Sequence, residues 1–256
     1  MNHQMQNNQR GSVLIVVLIM LVLLTIAGTW AIRGSITSLK IATNAQAQAL
    51  LKQTSDSVFF TLENKTDDDV AFTNMRVGQG MLNYVLRPEN KGKELVFCVR
   101  GDTVDNFAGS GIASVAYMLD QNTVHNTEQG TSGFCKVDRL MDFLSGRNAV
   151  MTQVTVRPAS NDRDWEHMME GDDKESSKST GIQKVAITAT SILPNLSDKS
   201  STDINDCLKG STSFVDEVLQ KSNTPNTTVT DCLSNNNVPY STQQMEYTIK
   251  TVGASS

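Results

Sequence analysis

The sequence has no charged residue between Arg10 and Arg33 and no proline before Pro88. Residues 11–32 read GSVLIVVLIMLVLLTIAGTWAI. A run of about 20 apolar residues is long enough to cross the roughly 30 Å hydrocarbon core of a bilayer as a helix. Because proline breaks helices, its absence allows this helix to continue beyond the membrane. We therefore expect residues 12–33 to span a membrane.

Motifs that carry catalysis or hold metals are also missing. The sequence contains no GxSxG, no HExxH, no Gly-rich phosphate loop and no CxxC pair, and its three histidines are scattered. Three consecutive aspartates, Asp67, Asp68 and Asp69, lack the alternating spacing of a calcium loop, so we expect a solvated turn there. The sequence predicts a protein that is not an enzyme and that has no cofactor and no metal.

The charge balance bears on partners. The formal net charge is −5, whereas binding to nucleic-acid phosphates needs clustered Lys and Arg. We expect no general nucleic-acid binding.

Beyond the apolar run, the pattern stays helical but becomes one-sided. Apolar and small residues recur at spacings of three and four, which is typical of one face of a helix. We expect an amphipathic helical half over residues 34–64, which makes the whole helix far longer than a bilayer needs. A signal-anchor followed by a coiled-coil stalk would have the same periodicity. The recurring positions are Ile32, Ile36, Leu39, Thr43, Ala47, Leu50, Thr54, Val58 and Leu62.

Residues 65–256 have the pattern of a globular domain with short strands. Five segments are rich in β-branched or aromatic residues, and several alternate between two faces. We predict a mainly antiparallel sheet that packs on the amphipathic half of the long helix and buries Ile36, Leu50 and Val58, which is an α+β fold. The predicted strands are residues 94–100, 112–119, 149–157, 182–192 and 246–252.

Two insertions interrupt this sheet. Residues 157–181 are dense in charge and serine and read as an exposed loop. Within it, Trp165, His167, Met168 and Met169 would form a recognition patch, unless Trp165 packs back onto the domain. The second insertion, residues 194–239, contains a predicted short helix over residues 214–221 with Ser213 as its N-cap.

Four cysteines, Cys98, Cys135, Cys207 and Cys232, all follow the apolar run. Two disulfides in an oxidising compartment account for them better than free thiols, although some would fit as buried thiols. We expect sequential pairing, Cys98 with Cys135 and Cys207 with Cys232, which is one of three possible connectivities.

The segment before the apolar run carries a resemblance to a known family. Residues 1–11, MNHQMQNNQRG, form a polar leader ending in Arg10 and Gly11. This resembles the leader of type IV prepilins, whose peptidase cuts after such a glycine. Ser12 would then be the mature, methylated N-terminus. The RG pair, a small residue and the Val- and Leu-rich run are similar to PilX-type minor pilins, over about 50 residues. A cleaved signal peptide, cut near Thr29, is the competing interpretation.

One position departs from the pilin pattern. Most pilins have a glutamate at the fifth mature residue, whereas this sequence has Val16. A lone carboxylate in lipid is costly unless it is paired, so Val16 removes both that cost and a docking contact. In pilin-like families this absence is associated with subunits at the filament tip or in the complex that starts assembly.

The resemblance implies a pilin-like α/β roll and an assembly role. The chain would be a minor pilin that helps initiate the type IV pilus and sits at or near its tip. It would cross the bacterial inner membrane once, with its domain in the periplasm, and later reach the cell surface. Its partners would be prepilin peptidase, the inner-membrane assembly platform and its lipid, other minor pilins, the major pilin and a tip adhesin. The alternatives are a ligand- or adhesin-binding tip module and a tip pseudopilin of a type II secretion system.

Overall fold

The computed structural model describes residues 12–101, 107, 109–118, 124–144, 146–159, 179–211 and 228–252. The chain divides into two compact units, Met1–Ala47 and Gln48–Ser256. Among the described residues, the helices are α1 Ser12–Thr66, α2 Asp69–Arg76, α3 Met81–Val85, α4 Ser201–Leu208 and α5 Val229–Asn235. The strands are β1 Glu94–Val99, β2 Ser114–Met118, β3 Val124–His125, β4 Met151–Pro158, β5 Ser179–Ile192 and β6 Tyr240–Val252.

The six strands form one sheet in the order β3-β2-β1-β4-β5-β6, and every neighbouring pair is antiparallel. All five predicted strands are present, and β3 is an additional short strand at one edge. β6 is longer than its apolar pattern indicated, because it begins at Tyr240 in a polar Ser-Thr-Gln stretch. With the long N-terminal helix, this sheet makes the α+β fold that the sequence predicts.

One face of the sheet packs against the C-terminal part of α1 and against α2 and α3. In the register, Phe97 of β1 lies opposite Val154 of β4, which lies opposite Ala189 of β5. Alternation along each strand places all three side chains in this first core. Alternation along the strands predicts that Val154 lies with Val156, Val185 with Ile187 and Tyr247 with Ile249, and these pairs do share this face. Val150, predicted on the same side as Val154, precedes β4 and is not part of this core.

The predicted contact stripe of α1 is confirmed at its C-terminal end, at Val58 and Leu62, but its register is wrong toward the N-terminus. Val58 is buried as expected, but Ile36 and Leu50 are 49% and 39% exposed. Leu51 is buried instead of Leu50. Successive residues of a helix point about 100° apart, so an error of one residue is enough to place the predicted side chain outside the contact with the sheet. Ile36 belongs to the N-terminal unit. The buried positions of α1 are Leu51, Ser55, Val58, Phe59 and Leu62.

The opposite face of the sheet carries a second core, built from α4, α5 and both disulfides. The second insertion supplies this layer, and neither α4 nor α5 was predicted. Capping residues start both helices, since Ser200 accepts from the Asp203 N–H and Thr228 forms a capping box with Asp231. The predicted helix at residues 214–221 lies outside the described residues.

The aspartate run after α1 forms a helix start. α1 ends at Thr66, and the Asp68 carboxylate accepts from the N–H groups of Val70 and Ala71 at 2.9 and 3.2 Å, which caps α2. The turn between α2 and α3 requires a glycine at position 80, because a Cβ there would overlap the carbonyl of Met75.

Candidate functional site

The first half of α1 is apolar on all sides. Every large apolar side chain from Val13 to Ile41 is exposed, by 48% at Val22 to 76% at Trp30. Within the described part of the chain, α1 is one helix that is long and apolar enough to cross a membrane, a property that an anchor and a signal sequence share. A helix that is apolar all round needs lipid or other apolar helices around it.

The two hydroxyl groups within residues 13–32 are satisfied inside the helix. Thr25 Oγ1 donates to the Val22 carbonyl and Thr29 Oγ1 donates to the Ile26 carbonyl, each at 2.8 Å. An unsatisfied polar group in hydrocarbon costs several kcal/mol, so these internal bonds keep the surface of the run compatible with lipid.

The predicted processing and placement residues fall at the start of this helix. Gly11 lies outside the described residues, and Ser12 is the first residue of α1. Val16 is 54% exposed, and one turn further along the same face lie Ile19 and Met20, which are also exposed. No Asp or Glu occurs in α1 before Asp56. The first half of the helix therefore carries no carboxylate near position 16.

The four cysteines form two disulfides with the sequential pairing expected from the sequence. Cys98 of β1 is bonded to Cys135, with Cα atoms 4.8 Å apart, and Cys207 of α4 is bonded to Cys232 of α5, with Cα atoms 5.4 Å apart. Both bonds lie in the second core. Disulfides persist in oxidising compartments, so they indicate an extracytoplasmic domain.

A buried glutamine connects the two disulfide-bonded segments. Gln153 in the middle of β4 is 2% exposed. Its Nε2 donates to the Leu208 carbonyl at 2.7 Å, and its Oε1 accepts from the Cys135 N–H at 3.1 Å. One side-chain amide thus joins the residue next to Cys207 to Cys135, across the face of the sheet. A buried polar link of this kind fixes one arrangement of the layers.

A buried carboxylate fixes the turn that follows Cys135. Asp142 is fully buried, and it accepts from Arg100 Nε at 2.9 Å and from the Lys136 N–H at 3.0 Å. These bonds compensate for the loss of hydration of the charge. On the same turn, Leu140 and Met141 stay 71% and 58% exposed beside an open cavity of about 490 Å³.

Side-chain hydrogen bonds also stabilise the second core at its surface. The Asn205 side chain of α4 accepts from the Val137 N–H at 2.8 Å and donates to the Asp138 carboxylate at 3.0 Å. That donated hydrogen bond lowers the pKa of Asp138. Segments that are far apart in the sequence are therefore held together by side-chain hydrogen bonds as well as by the two disulfides.

Sequence reasoning missed both buried polar residues. Gln153 and Asp142 each interrupt an apolar stretch, MTQVTV and RLMDFL, and that interruption was the only signal available. Among the described residues, no group of three or more His, Cys, Asp or Glu side chains is placed to hold a metal. What the arrangement offers is a set of packing surfaces: the exposed apolar side chains in the first half of α1, and a domain stabilised by disulfides.

A long N-terminal apolar helix that continues into a disulfide-bonded domain with an antiparallel sheet is consistent with a pilin-like fold. Comparisons with protein-family models, with curated proteins and with solved structures found no significant match for this chain.

Proposed function

We propose that this chain is a minor subunit of the type IV pilus, similar to PilX-type minor pilins, which helps start filament assembly and sits at or near the tip. The observation that supports this proposal is the continuity of α1. One uninterrupted helix, Ser12–Thr66, contains the exposed apolar run and also the residues Leu51, Val58 and Leu62 of the domain core. A discarded signal peptide has no need for such continuity.

The proposed mechanism is assembly by packing, without catalysis. The peptidase would cut after Gly11, and the chain would stay in the inner membrane through residues 12–33 with its disulfide-bonded domain in the periplasm. Its apolar helix would pack on the helices of other minor pilins and give the major pilin its first docking surface. The assembly motor would then draw the group out of the membrane.

Val16 is the residue to which we assign tip placement. Without a carboxylate at this position, the subunit has nothing to pair with the N-terminal amine of a neighbouring pilin. The variant Val16→Glu should therefore enter the filament below the tip. Immunogold labelling of pili measures the position of the subunit, and electron microscopy measures the number of pili per cell.

Val17→Glu is the matched control, since it introduces the same charge at the adjacent position, which is also exposed. We expect it to lower incorporation without moving the subunit along the filament. Unchanged pilus number and an unchanged subunit position in Val16→Glu would contradict the assignment.

A ligand-binding tip module is the second candidate, favoured by the exposed Leu140 and Met141 on a turn that Asp142 and a disulfide hold rigid. The predicted recognition patch around Trp165 lies outside the described residues. If this candidate is right, replacing Leu140 and Met141 with serine should abolish ligand binding while piliation persists. A tip pseudopilin of a type II secretion system fits less well, because such subunits usually have a helix-rich domain.

A further inference from the structure

A cavity of about 270 Å³ opens between α2, α3 and the β5–β6 pair. Leu82 and Ile249, which are 5% and 6% exposed, form the buried apolar part of its floor, and the polar residues Asn83 and Gln183 also line the cavity. Two arginines also line it, Arg76 at the end of α2 and Arg87 just after α3. An apolar floor beside two cations suits a ligand that joins a negative charge directly to an apolar group.

Both guanidinium groups are held in place without an acidic partner. Arg76 stacks over the Phe72 ring at 5.4 Å, and Arg87 Nη2 donates to the Gly78 carbonyl at 3.2 Å. Among the described residues, neither lies within 4.0 Å of an Asp or Glu carboxylate. A guanidinium has five N–H donors, so most remain available to an anion. In a chain of net charge −5, this cavity is locally positive.

The adjacent strand β6 has a free edge. It pairs with β5 along its 13 residues, and no other described strand lies on its outer side. It contains no proline, and its outward backbone groups are a template for an added strand. Ile249 belongs both to β6 and to the floor of the cavity. A strand added about 4.8 Å outside β6 would place every second side chain on the same face of the sheet as Ile249, and one of them directly beside it.

We propose that the β6 edge and this cavity bind the C-terminal segment of a partner chain as an added strand. The partner's terminal carboxylate lies between Arg76 and Arg87, and its last side chain, which is apolar, rests on Leu82 and Ile249. A Glu or Asp side chain fits less well, because its carboxylate ends the side chain and leaves the floor empty. A C-terminal residue presents the carboxylate and an apolar group on one α-carbon. This interaction goes beyond the pilus role and holds whether or not the chain is a pilin.

The test uses the full chain in detergent micelles and a library of fluorescein-labelled octapeptides. Each peptide has a free carboxylate, a Val, Ile or Leu as its last residue and varied preceding positions, and a second library carries C-terminal amides. Fluorescence anisotropy measures affinity. We expect binders from the first library to lose about tenfold or more in affinity as amides, because a charged, bidentate contact disappears. Equal binding of acids and amides, or no binder in the first library, would overturn the proposal.

Variants of the chain locate the carboxylate. Arg76→Gln and Arg87→Gln should each weaken binding of the selected acid about tenfold. Arg147→Gln is the matched control, since Arg147 is exposed in the loop before β4, does not line the cavity, and the charge change is the same. Arg76→Gln and Arg87→Gln proteins that bind the peptide as tightly as the unmodified chain would place the site elsewhere.

Methylated peptides test the added strand without altering the protein. Two versions of the selected peptide carry N-methyl groups on alternate amides, in the two possible phases. Only the amides that face β6 donate to it, so one phase should abolish binding and the other should preserve it. If both phases bind equally, or neither does, strand addition is excluded.

Discussion

Leu18 in the first half of α1 is 59% exposed, whereas Leu51 in the second half is fully buried. The two residues are chemically identical and lie on one helix, so hydrophobicity alone does not decide which of them belongs to a core. The second half has charged residues, Lys52, Asp56 and Glu63, on its exposed side, and these select one buried face. The first half has no charged residues between Ser12 and Ile32 that would distinguish an exposed face from a buried one. Its exposed apolar surface is chemically suited to lipid or to apolar helices of another chain.

The largest effect expected from this difference concerns two adjacent phenylalanines. Phe59 is 2% exposed and Phe60 is 66% exposed. Phe59→Ala should lower the free energy of unfolding of the domain by about 3–5 kcal/mol, because it leaves a cavity under the sheet. Phe60→Ala should change it by less than about 0.5 kcal/mol. Urea denaturation followed by near-UV circular dichroism in mild detergent measures both, and similar losses would contradict the assigned face.

Removing a disulfide should weaken the domain and leave the first half of α1 unaffected. The double variant Cys207→Ser, Cys232→Ser opens a loop with a sequence separation of 25 residues. The loss in unfolding free energy should be about 3 kcal/mol, since the bond restricts the unfolded chain. The same variant should stay in the membrane fraction after alkaline extraction. Release from the membrane would show that anchoring depends on the domain.

A smaller effect is expected from the polar contact between the second half of α1 and the sheet. Ser55 Oγ lies 2.8 Å from Ser191 Oγ, which lies 2.7 Å from Thr152 Oγ1, and all three residues are fully buried. Ser55→Ala should cost about 1 kcal/mol, because Ser191 keeps its Thr152 partner. Ser57→Ala is the control, since the exposed Ser57 hydroxyl bonds only to its own helix, and it should have almost no effect on the same denaturation curve.

The smallest effect concerns pH. The hydrogen bond from Asn205 lowers the pKa of Asp138 below its ordinary value of 3.8. The contribution of this carboxylate is therefore present above that ordinary value and is lost as the pH falls through the lower, folded-state pKa. Asp138→Asn should lose less stability than the unmodified chain when denaturation at pH 7 is compared with pH 3. The first half of α1 has no carboxylate, so membrane retention should not change over this range. An identical loss in both proteins would argue against the contact.

Sequence patterns predicted the long helix and most strands of the sheet, but not the short helices α2, α3, α4 and α5. The helical repeat predicted α1, and segments rich in β-branched and aromatic residues predicted five of the six described strands, with alternation predicting same-face residues in three of them. The predicted contact line of α1 differs from the observed one because Thr54 and Ser55 are both polar, and the sequence does not indicate which of them faces the sheet. The structure buries Ser55, whose hydroxyl contacts the hydroxyl of Ser191 on β5. Gln153, Asp142 and the cavity between Arg76 and Arg87 depend on segments that are distant in sequence. A local sequence pattern cannot predict contacts between segments that are distant in sequence.

We propose that the first half of α1 stays on the mature chain as an anchor and an assembly helix. Mass spectrometry of the N-terminal peptide, on protein purified from membranes, tests it most directly. We expect a chain that begins at Ser12 with a methylated amine. A chain that begins at Gly28 or Ile32 would contradict it, because the apolar run would then be a discarded signal and the domain would have no anchor.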